Sequence, residues 1–183
     1  MQTGLLSNDS SSAVNLEYED VVERYYRPLY QFAFSLTRSE ADASDLTQQT
    51  FYTWSVKGHQ LRDGSKVRTW LFTTMHRAFL QTRRRETRFP HYELDEVDSE
   101  LPCISPPEAS GLDSADLLDA LAKIDDVFRA PVALFYLEDC PYKEIALILN
   151  VPLGTVRSRI ARGIIKLQKL LAGDDYGRQR AAA

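Results

Sequence analysis

The sequence predicts an all-α fold: two small helical bundles joined by an acidic flexible linker, the second bundle containing a helix-turn-helix. Three observations predict it. Apolar residues recur at helical period through 16–85 and again through 112–171, with no strand-type alternation. Residues 86–111 have no period and gather Pro90, Pro102, Pro106 and Pro107 among acids, the composition of an extended tether. Residues 141–171 read as a short helix, a tight turn and a longer basic helix. The boundaries that follow are a polar tail at 1–15, a first bundle at 16–88, a linker at 89–111, a second bundle at 112–172 and a polar tail at 173–183.

Taking the elements in order, residues 16–37 place Val22, Tyr25, Tyr26, Leu29, Ala33 and Leu36 on one helical face. Pro28 lacks an N–H and costs about 3 kcal/mol in a helix interior, so a break is expected there, with Pro28 in the first turn of a new helix. Ser39 has the character of an N-cap, with Asp42 three residues on as a capping-box variant. The helix it opens, 40–56, turns Ala43, Leu46, Thr50, Phe51 and Trp54 inward and leaves Asp42, Asp45, Gln48 and Gln49 on or near the outer face. Residues 57–65, KGHQLRDGS, are a loop by their two glycines and polarity. The next helix, 66–85, spreads Val67, Trp70, Leu71, Met75, Ala78 and Phe79 over more than one face, so it is expected at the centre of the first bundle.

Beyond the linker, helices are expected over 112–124, with Leu117, Leu118, Leu121 and Ile124 apolar, and over 126–138, with Phe128, Val132, Phe135 and Tyr136. In the closing unit Asn150 accepts a left-handed conformation and can end one helix, and Pro152 biases Val151 away from helix. Thr155 is then expected to cap the next. Val156, Ile160, Gly163, Ile164, Leu167, Leu170 and Leu171 share its apolar face; Thr155, Arg159, Arg162, Lys166 and Lys169 fill an adjoining stripe, with Arg157 on the other flank. One apolar face and one cationic edge behind a short helix is the layout of a DNA reader. A packed surface helix with solvated Lys and Arg has the same pattern.

The net charge of −4 over 183 residues conceals strong local asymmetry. Residues 57–88 carry nine Lys/Arg against Asp63 and Glu86; residues 89–126 carry eleven acids against Lys123; residues 142–171 carry six Lys/Arg against Glu144. Two basic blocks flank an acidic one. In the first basic block Lys66, Arg68, Arg77, Arg83, Arg84, Arg85 and Arg88 interleave with Trp70, Phe72, Phe79 and Phe89. Cations that track phosphates and aromatics that support unstacked bases are what melted DNA requires; core burial is the plainer reading of Trp70 and Phe79. Catalysis is not expected, because no nucleophile and base stand at useful spacing and no glycine-rich phosphate loop occurs. Cys103 and Cys140 form no CxxC and the three histidines are scattered, so no metal or cofactor is expected and a reduced cytoplasmic setting is the default. No apolar run reaches the ~20 residues of a membrane helix, and residues 1–14 lack the features of a signal peptide.

Three stretches together, ADASDLTQQTFYTW (41–54), WLFTTMHRAFLQTRRR (70–85) and KEIALIL with GTVRSRIARG (143–163), resemble the extracytoplasmic-function (ECF) sigma factors of the sigma-70 family. The resemblance spans both bundles, their order and the linker. It implies a protein that binds core RNA polymerase and promoter DNA without enzymatic chemistry. The first bundle is similar to sigma region 2, whose docking helix, here Asp42, Asp45, Gln48, Gln49 and Phe51, would sit on the clamp of the polymerase's largest subunit. The −10 element would be melted and read by His59, Arg62, Lys66, Arg68, Trp70, Thr73, His76, Arg77 and Arg84. The second bundle is similar to region 4, with Thr155, Arg157, Ser158, Arg159, Arg162 and Lys166 facing the −35 duplex and the flap of the second-largest subunit as its polymerase contact. The linker would run through basic RNA channels, and an anti-sigma factor is a candidate further partner. Gln49 replaces a common Glu, Arg77 a common Asn, and Ile124-Asp125 a common Leu-Pro. The alternative from another class is a stand-alone helix-turn-helix regulator whose first bundle binds a protein or ligand.

Overall fold

The computed structural model describes residues 18–86 and 114–181, with side chains described for 18–85 and 117–170. The tether and the N-terminal tail lie outside the described residues. Among the described residues seven helices run in the order α1 (Tyr18–Thr37), α2 (Glu40–Lys57), α3 (Val67–Glu86), α4 (Ser114–Lys123), α5 (Asp126–Tyr136), α6 (Tyr142–Leu149) and α7 (Leu153–Ala181). Two short 3-10 turns, Gly58–Gln60 and Gly64–Lys66, lie between α2 and α3.

The first module is an α1–α2 hairpin closed by α3. Its core contains Leu29, Phe32, Leu71, Phe72 and Met75, all fully buried, with Phe32 and Phe72 rings 5.4 Å apart. Phe72 is therefore packing, not a platform for a base. The expected break at Pro28 does not occur, and α1 runs through it. The proline removes one backbone bond, but Val21, Leu29, Phe32, Ala33 and Leu36 bury a continuous face on both sides of it. At ~1.5–3 kcal/mol per buried large apolar side chain, that face outweighs the missing bond. Arg38, at φ 60°, makes the left-handed turn between α1 and α2. Ser39 caps α2 as expected, its hydroxyl accepting from the Asp42 amide at 3.3 Å. The five inward residues of α2 are all buried and its four polar outer residues all exposed. At its end, a Cβ on Gly58 would meet the Trp54 indole at 2.7 Å, so only glycine lets the following loop cross that ring.

In the second module α5 carries Pro131 inside it, again on a buried face. Asn150 ends α6 in the left-handed conformation at φ 54°, as its chemistry predicts. Thr155 is not an N-cap: α7 begins at Leu153, and the Val156 amide already donates to the Pro152 carbonyl at 3.1 Å. Proline fits the cap position, because an N–H there has no helical partner to lose. The expected apolar face of α7 is the buried one, from Val156 to Leu167. The helix continues to Ala181, through the stretch expected to be a polar tail.

The two modules do not stand apart. Helix α3 packs on α6, and α1 packs on α4 and α5, so the buried apolar residues of both form one contiguous cluster.

Candidate nucleic-acid interface

The outer face of α2 presents Asp42, Asp45, Gln48 and Gln49 to solvent. Phe51 is different. It is 4% exposed, its ring stacked 6.3 Å from Tyr26, so it holds α2 to α1 from beneath and does not face a partner. Beside this face, Asp42, Asp45 and Gln49 share a groove of about 330 Å3 with Arg38, Phe79 and Arg83.

The residues implied for the −10 element divide into two groups. His59, Arg62, Lys66, Arg77 and Arg84 are exposed. The Asp63 carboxylate accepts from the Ser65 hydroxyl at 2.6 Å and the Ser65 amide at 3.0 Å, which shapes the turn that presents Lys66. Those bonds hold its carboxyl below the usual range, with Lys66 a smaller contributor at 3.4 Å. Trp70 and Thr73 are half-buried, Trp70 standing edge-on to Trp54 at 5.2 Å. Arg68 and His76 point into the seam between the modules. Arg68 donates to the Glu138 backbone carbonyl and lies 3.9 Å from its carboxylate. His76 is close enough to Arg159 and Arg77 to feel both charges.

Along α7, Arg157 and Arg162 are exposed, while Thr155, Ser158 and Arg159 are half-buried. The Ser158 hydroxyl donates to the Thr155 carbonyl at 3.1 Å. Lys166 is paired with Asp125 and sits 5.0 Å from the centre of the Phe128 ring. Arg159 of α7 and His76 of α3, implied for different promoter elements, are near enough for the Arg159 charge to act on the imidazole.

Sequence reasoning did not single out the partners that complete this seam. The Thr69 hydroxyl donates to Glu144 Oε1 at 2.9 Å, Arg83 donates to Asp126 at 2.8 Å, and Arg38 donates to the Ala122 carbonyl at 3.2 Å. Residues 43 to 84 positions apart leave no periodic signal.

Two titrating groups in the seam oppose each other. Burial, strengthened by Asp139 and countered by Arg68, raises the Glu138 carboxyl to about 7. Burial first, then Arg159 and Arg77, lowers the His76 imidazole to about 4. Glu138 therefore contributes stability that is full below pH 4.5 and is lost as pH rises to about 7. His76 contributes stability that is full above pH 6.5 and is lost as pH falls to about 4. Each slope is at most about 1.4 kcal/mol per pH unit, and they oppose each other in the shared window. Glu138→Gln is expected to expose the His76 slope, so that thermal stability falls more steeply than wild type on acidification from pH 6.5 to 5. His76→Gln should do the reverse. Parallel pH profiles for the two variants in thermal melts would contradict the assignment.

Comparison with known proteins is consistent across the chain. Residues 21–89 match Sigma-70 region 2 and residues 114–167 match Sigma-70, region 4. The ECF RNA polymerase sigma factor SigE of Mycolicibacterium smegmatis is 34% identical over 174 residues, covering 93% of this chain and 67% of the relative. The sigma factor RpoE of Bartonella quintana, solved in complex with the anti-sigma factor NepR, superposes with a TM-score of 0.67 at 28% identity, over 85% of this chain and 97% of RpoE. CnrH, solved with the cytosolic domain of CnrY, gives 0.59 at 25% identity, over 86% of this chain and 88% of CnrH. Among the described residues no helix is long and apolar enough to cross a membrane. With both sigma regions in order and an ECF relative above 30% identity covered over two thirds of its length, the chain belongs to the ECF subfamily of the sigma-70 family of RNA polymerase sigma factors.

Proposed function

We propose that this sigma factor works in the cytoplasm, without enzymatic chemistry of its own, by a two-point grip on promoter DNA. In this reading residues 16–88 bind core polymerase and the −10 element, residues 89–111 are the tether, and residues 112–172 bind the −35 duplex. The carrying observation is the separation of chemistry by face: an exposed acid–amide face on α2, and two sets of exposed cations, one from the loop before α3 through its later turns and one along α7. Acids and amides on a rigid helix suit protein docking, whereas exposed arginines suit phosphates and guanine edges.

Asp42, Asp45, Gln48 and Gln49 would meet the polymerase clamp, with Phe51 holding their helix in place. His59, Arg62, Lys66, Arg77 and Arg84 would meet the −10 strand directly. Arg68, Trp70, Thr73 and His76 would become available as the seam changes. Thr155, Arg157, Ser158, Arg159, Arg162 and Lys166 would face the −35 duplex, and the second module would meet the flap of the second-largest subunit. Two solved relatives were captured with NepR and with the CnrY cytosolic domain, the first described as an anti-sigma factor, which supports an anti-sigma partner for this chain.

The test is in vitro transcription with purified core enzyme on a set of genomic fragments. Wild type should co-purify with core and start transcription at discrete promoters. Asp45→Lys should lose at least about tenfold in core affinity, since reversing a charge inside a complementary interface costs more than about 1.4 kcal/mol. A chain that neither binds core nor initiates would overturn the reading.

Within that holoenzyme, Arg159→Ala should weaken promoter binding by about 1–3 kcal/mol, with relaxed preference at one position of the −35 element, if Arg159 reads a base edge. Binding isotherms across single-base promoter variants check this. Equal weakening on every sequence would make Arg159 a phosphate contact.

A further inference from the structure

One buried indole touches two of the elements implied for the −10 strand and belongs to neither. Trp54 is 6% exposed near the end of α2. Its ring meets Trp70 of α3 edge-on at 5.2 Å, and these are the two tryptophans of the chain. The same ring also lies against Gly58, where a Cβ would meet three of its atoms at 2.7 to 2.9 Å. The Gly58 amide donates to the Trp54 carbonyl, so ring and backbone of one residue both hold the start of the loop.

Glycine is not needed there for its backbone. Gly58 has φ −58° and ψ −33°, a conformation that any residue adopts, so the ring alone excludes a side chain. From that pinned point the loop 58–66 is fastened at intervals. The Leu61 amide donates to the Gly58 carbonyl at 2.9 Å, and the Leu61 side chain packs on the core. The Lys66 amide donates to the Asp63 carbonyl at 3.0 Å. Between these fastenings His59 and Arg62 are exposed. A loop already ordered gives up little backbone entropy on binding, so the way it is fixed governs how tightly and how selectively it binds.

Resting on the −10 reading proposed above, we infer that Trp54 is a positioning residue for that element: its indole fixes the 58–66 loop through Gly58 and orients Trp70 through their edge contact, so that loop and ring reach the strand in one register. Trp54 itself, enclosed in the core, meets no strand. An indole is a rigid plate, and in a close-packed interior a push on one edge is passed to the other. A methyl group added at position 58 therefore disturbs Trp70 as well as the loop.

A double-mutant cycle in the full chain tests this. Gly58→Ala sets a methyl against the indole, Trp54→Phe shortens the ring it meets, and the double variant combines them. Each protein is assembled with core polymerase and titrated against a promoter fragment from which wild type initiates, with its −10 element pre-opened as a bubble. Each single variant should weaken binding about tenfold, through loss of the preset loop. The double variant should bind at least about fivefold better than the two losses multiplied, because the smaller ring leaves room for the methyl. Core affinity should stay within about twofold, since Asp42, Asp45, Gln48 and Gln49 lie further up α2. Preference for the native −10 bases over single-base substitutions should shrink in both single variants, which a loss of stability alone does not produce. In the free chain labelled with 5-fluorotryptophan, Gly58→Ala should move both fluorine resonances, Trp54→Phe identifying the one that belongs to Trp70.

Circular dichroism verifies folding, and if one single variant fails to fold, the base preference of the other decides. Multiplicative losses, losses that fall equally on core and on every −10 sequence, or a Trp70 resonance indifferent to Gly58→Ala would each overturn the positioning role. His59→Ala and Arg62→Ala in the same titration separate the two readings. If they weaken bubble binding and Gly58→Ala does not, the role of Trp54 is wrong and the −10 reading stands. If none of the three has an effect, the −10 reading of this loop falls and takes the inference with it.

Discussion

Arg129→Ala is expected to lower the stability of the second module by about 2–4 kcal/mol, because a buried guanidinium that donates to backbone carbonyls and to the exposed Asp126 is lost. Arg129 is 2% exposed in the middle of the apolar run FRAPVALF. Its Nε donates to the Leu121 carbonyl at 3.0 Å, and Nη2 to those of Ile124 at 2.6 Å and Ala122 at 3.4 Å. Nη1 donates to Asp126 at 2.6 Å. Leu121 and Ala122 lie in the last turn of α4, where carbonyls have no helical partner, and Ile124 follows directly. One guanidinium thus caps a whole helix end from inside the core. Alanine would leave the Ile124 carbonyl without its donor, at about 1–3 kcal/mol if water does not reach it. It would also strip a second donor from the Leu121 and Ala122 carbonyls, which keep the Ile124 amide and the Arg38 guanidinium. Lysine, with a compact point charge, would recover only part of the loss because it cannot span three acceptors in one plane. Denaturant melts should separate the three proteins in the order wild type, lysine, alanine. A loss below about 1 kcal/mol for alanine would mean that water caps α4 instead.

Gly163→Leu should cost about 3 kcal/mol, at the upper end of what overpacking a tight contact costs. Gly163→Ala is the sharper measurement because two effects of opposite sign compete. Helix propensity alone would make alanine better by about 1 kcal/mol inside a helix. A Cβ at this position, however, would stand 2.4 Å from Val132 Cγ2 and 3.3 Å from Phe128 Cβ. Valine is stiff at χ1 and packed on α5, so it cannot swing away. Steric conflict of about 1–3 kcal/mol therefore outweighs propensity, and alanine should destabilise. Gly154, in the first turn of the same helix, has nothing within 4 Å of its Cβ position. Gly154→Ala should accordingly stabilise, by up to about 1 kcal/mol. If thermal melts give both alanine variants the same sign, α5 and α7 are not held at the separation described.

The same contrast marks the limit of what was legible beforehand. Features governed by residues within one or two turns could be read in advance. Ser39 capping α2, Asn150 ending α6 in a left-handed turn, and the inward sets of α2 and α7 all depend on local chemistry and a 3.6-residue period. The motifs of the docking helix, the arginine-rich helix and the helix-turn-helix also carried the family. Where local rules failed, a longer-range term had outweighed them. Pro28 should have broken α1, but the apolar face it lies in crosses it. Thr155 had the right chemistry for a cap, but Pro152 occupied that place two residues earlier. Phe72, interleaved with cations, matched the pattern of a base platform and was taken by the core, and Phe51, implied by the resemblance for docking, is buried as its helical period predicts.

By itself the sequence determined that this chain is helical, that its cations gather in two blocks, and that its helices carry the two sigma regions in order. Those properties follow from period, charge and motif, each defined over neighbouring residues. Only the tertiary structure decided that Arg68, His76 and Arg159 share a seam, that Glu138 is buried with one oxygen unpaired, and that Arg129 caps α4. The physical reason is that a side chain's partner across a packed interface is set by how two helices meet. That meeting depends on shape summed over many residues, not on any spacing along the chain.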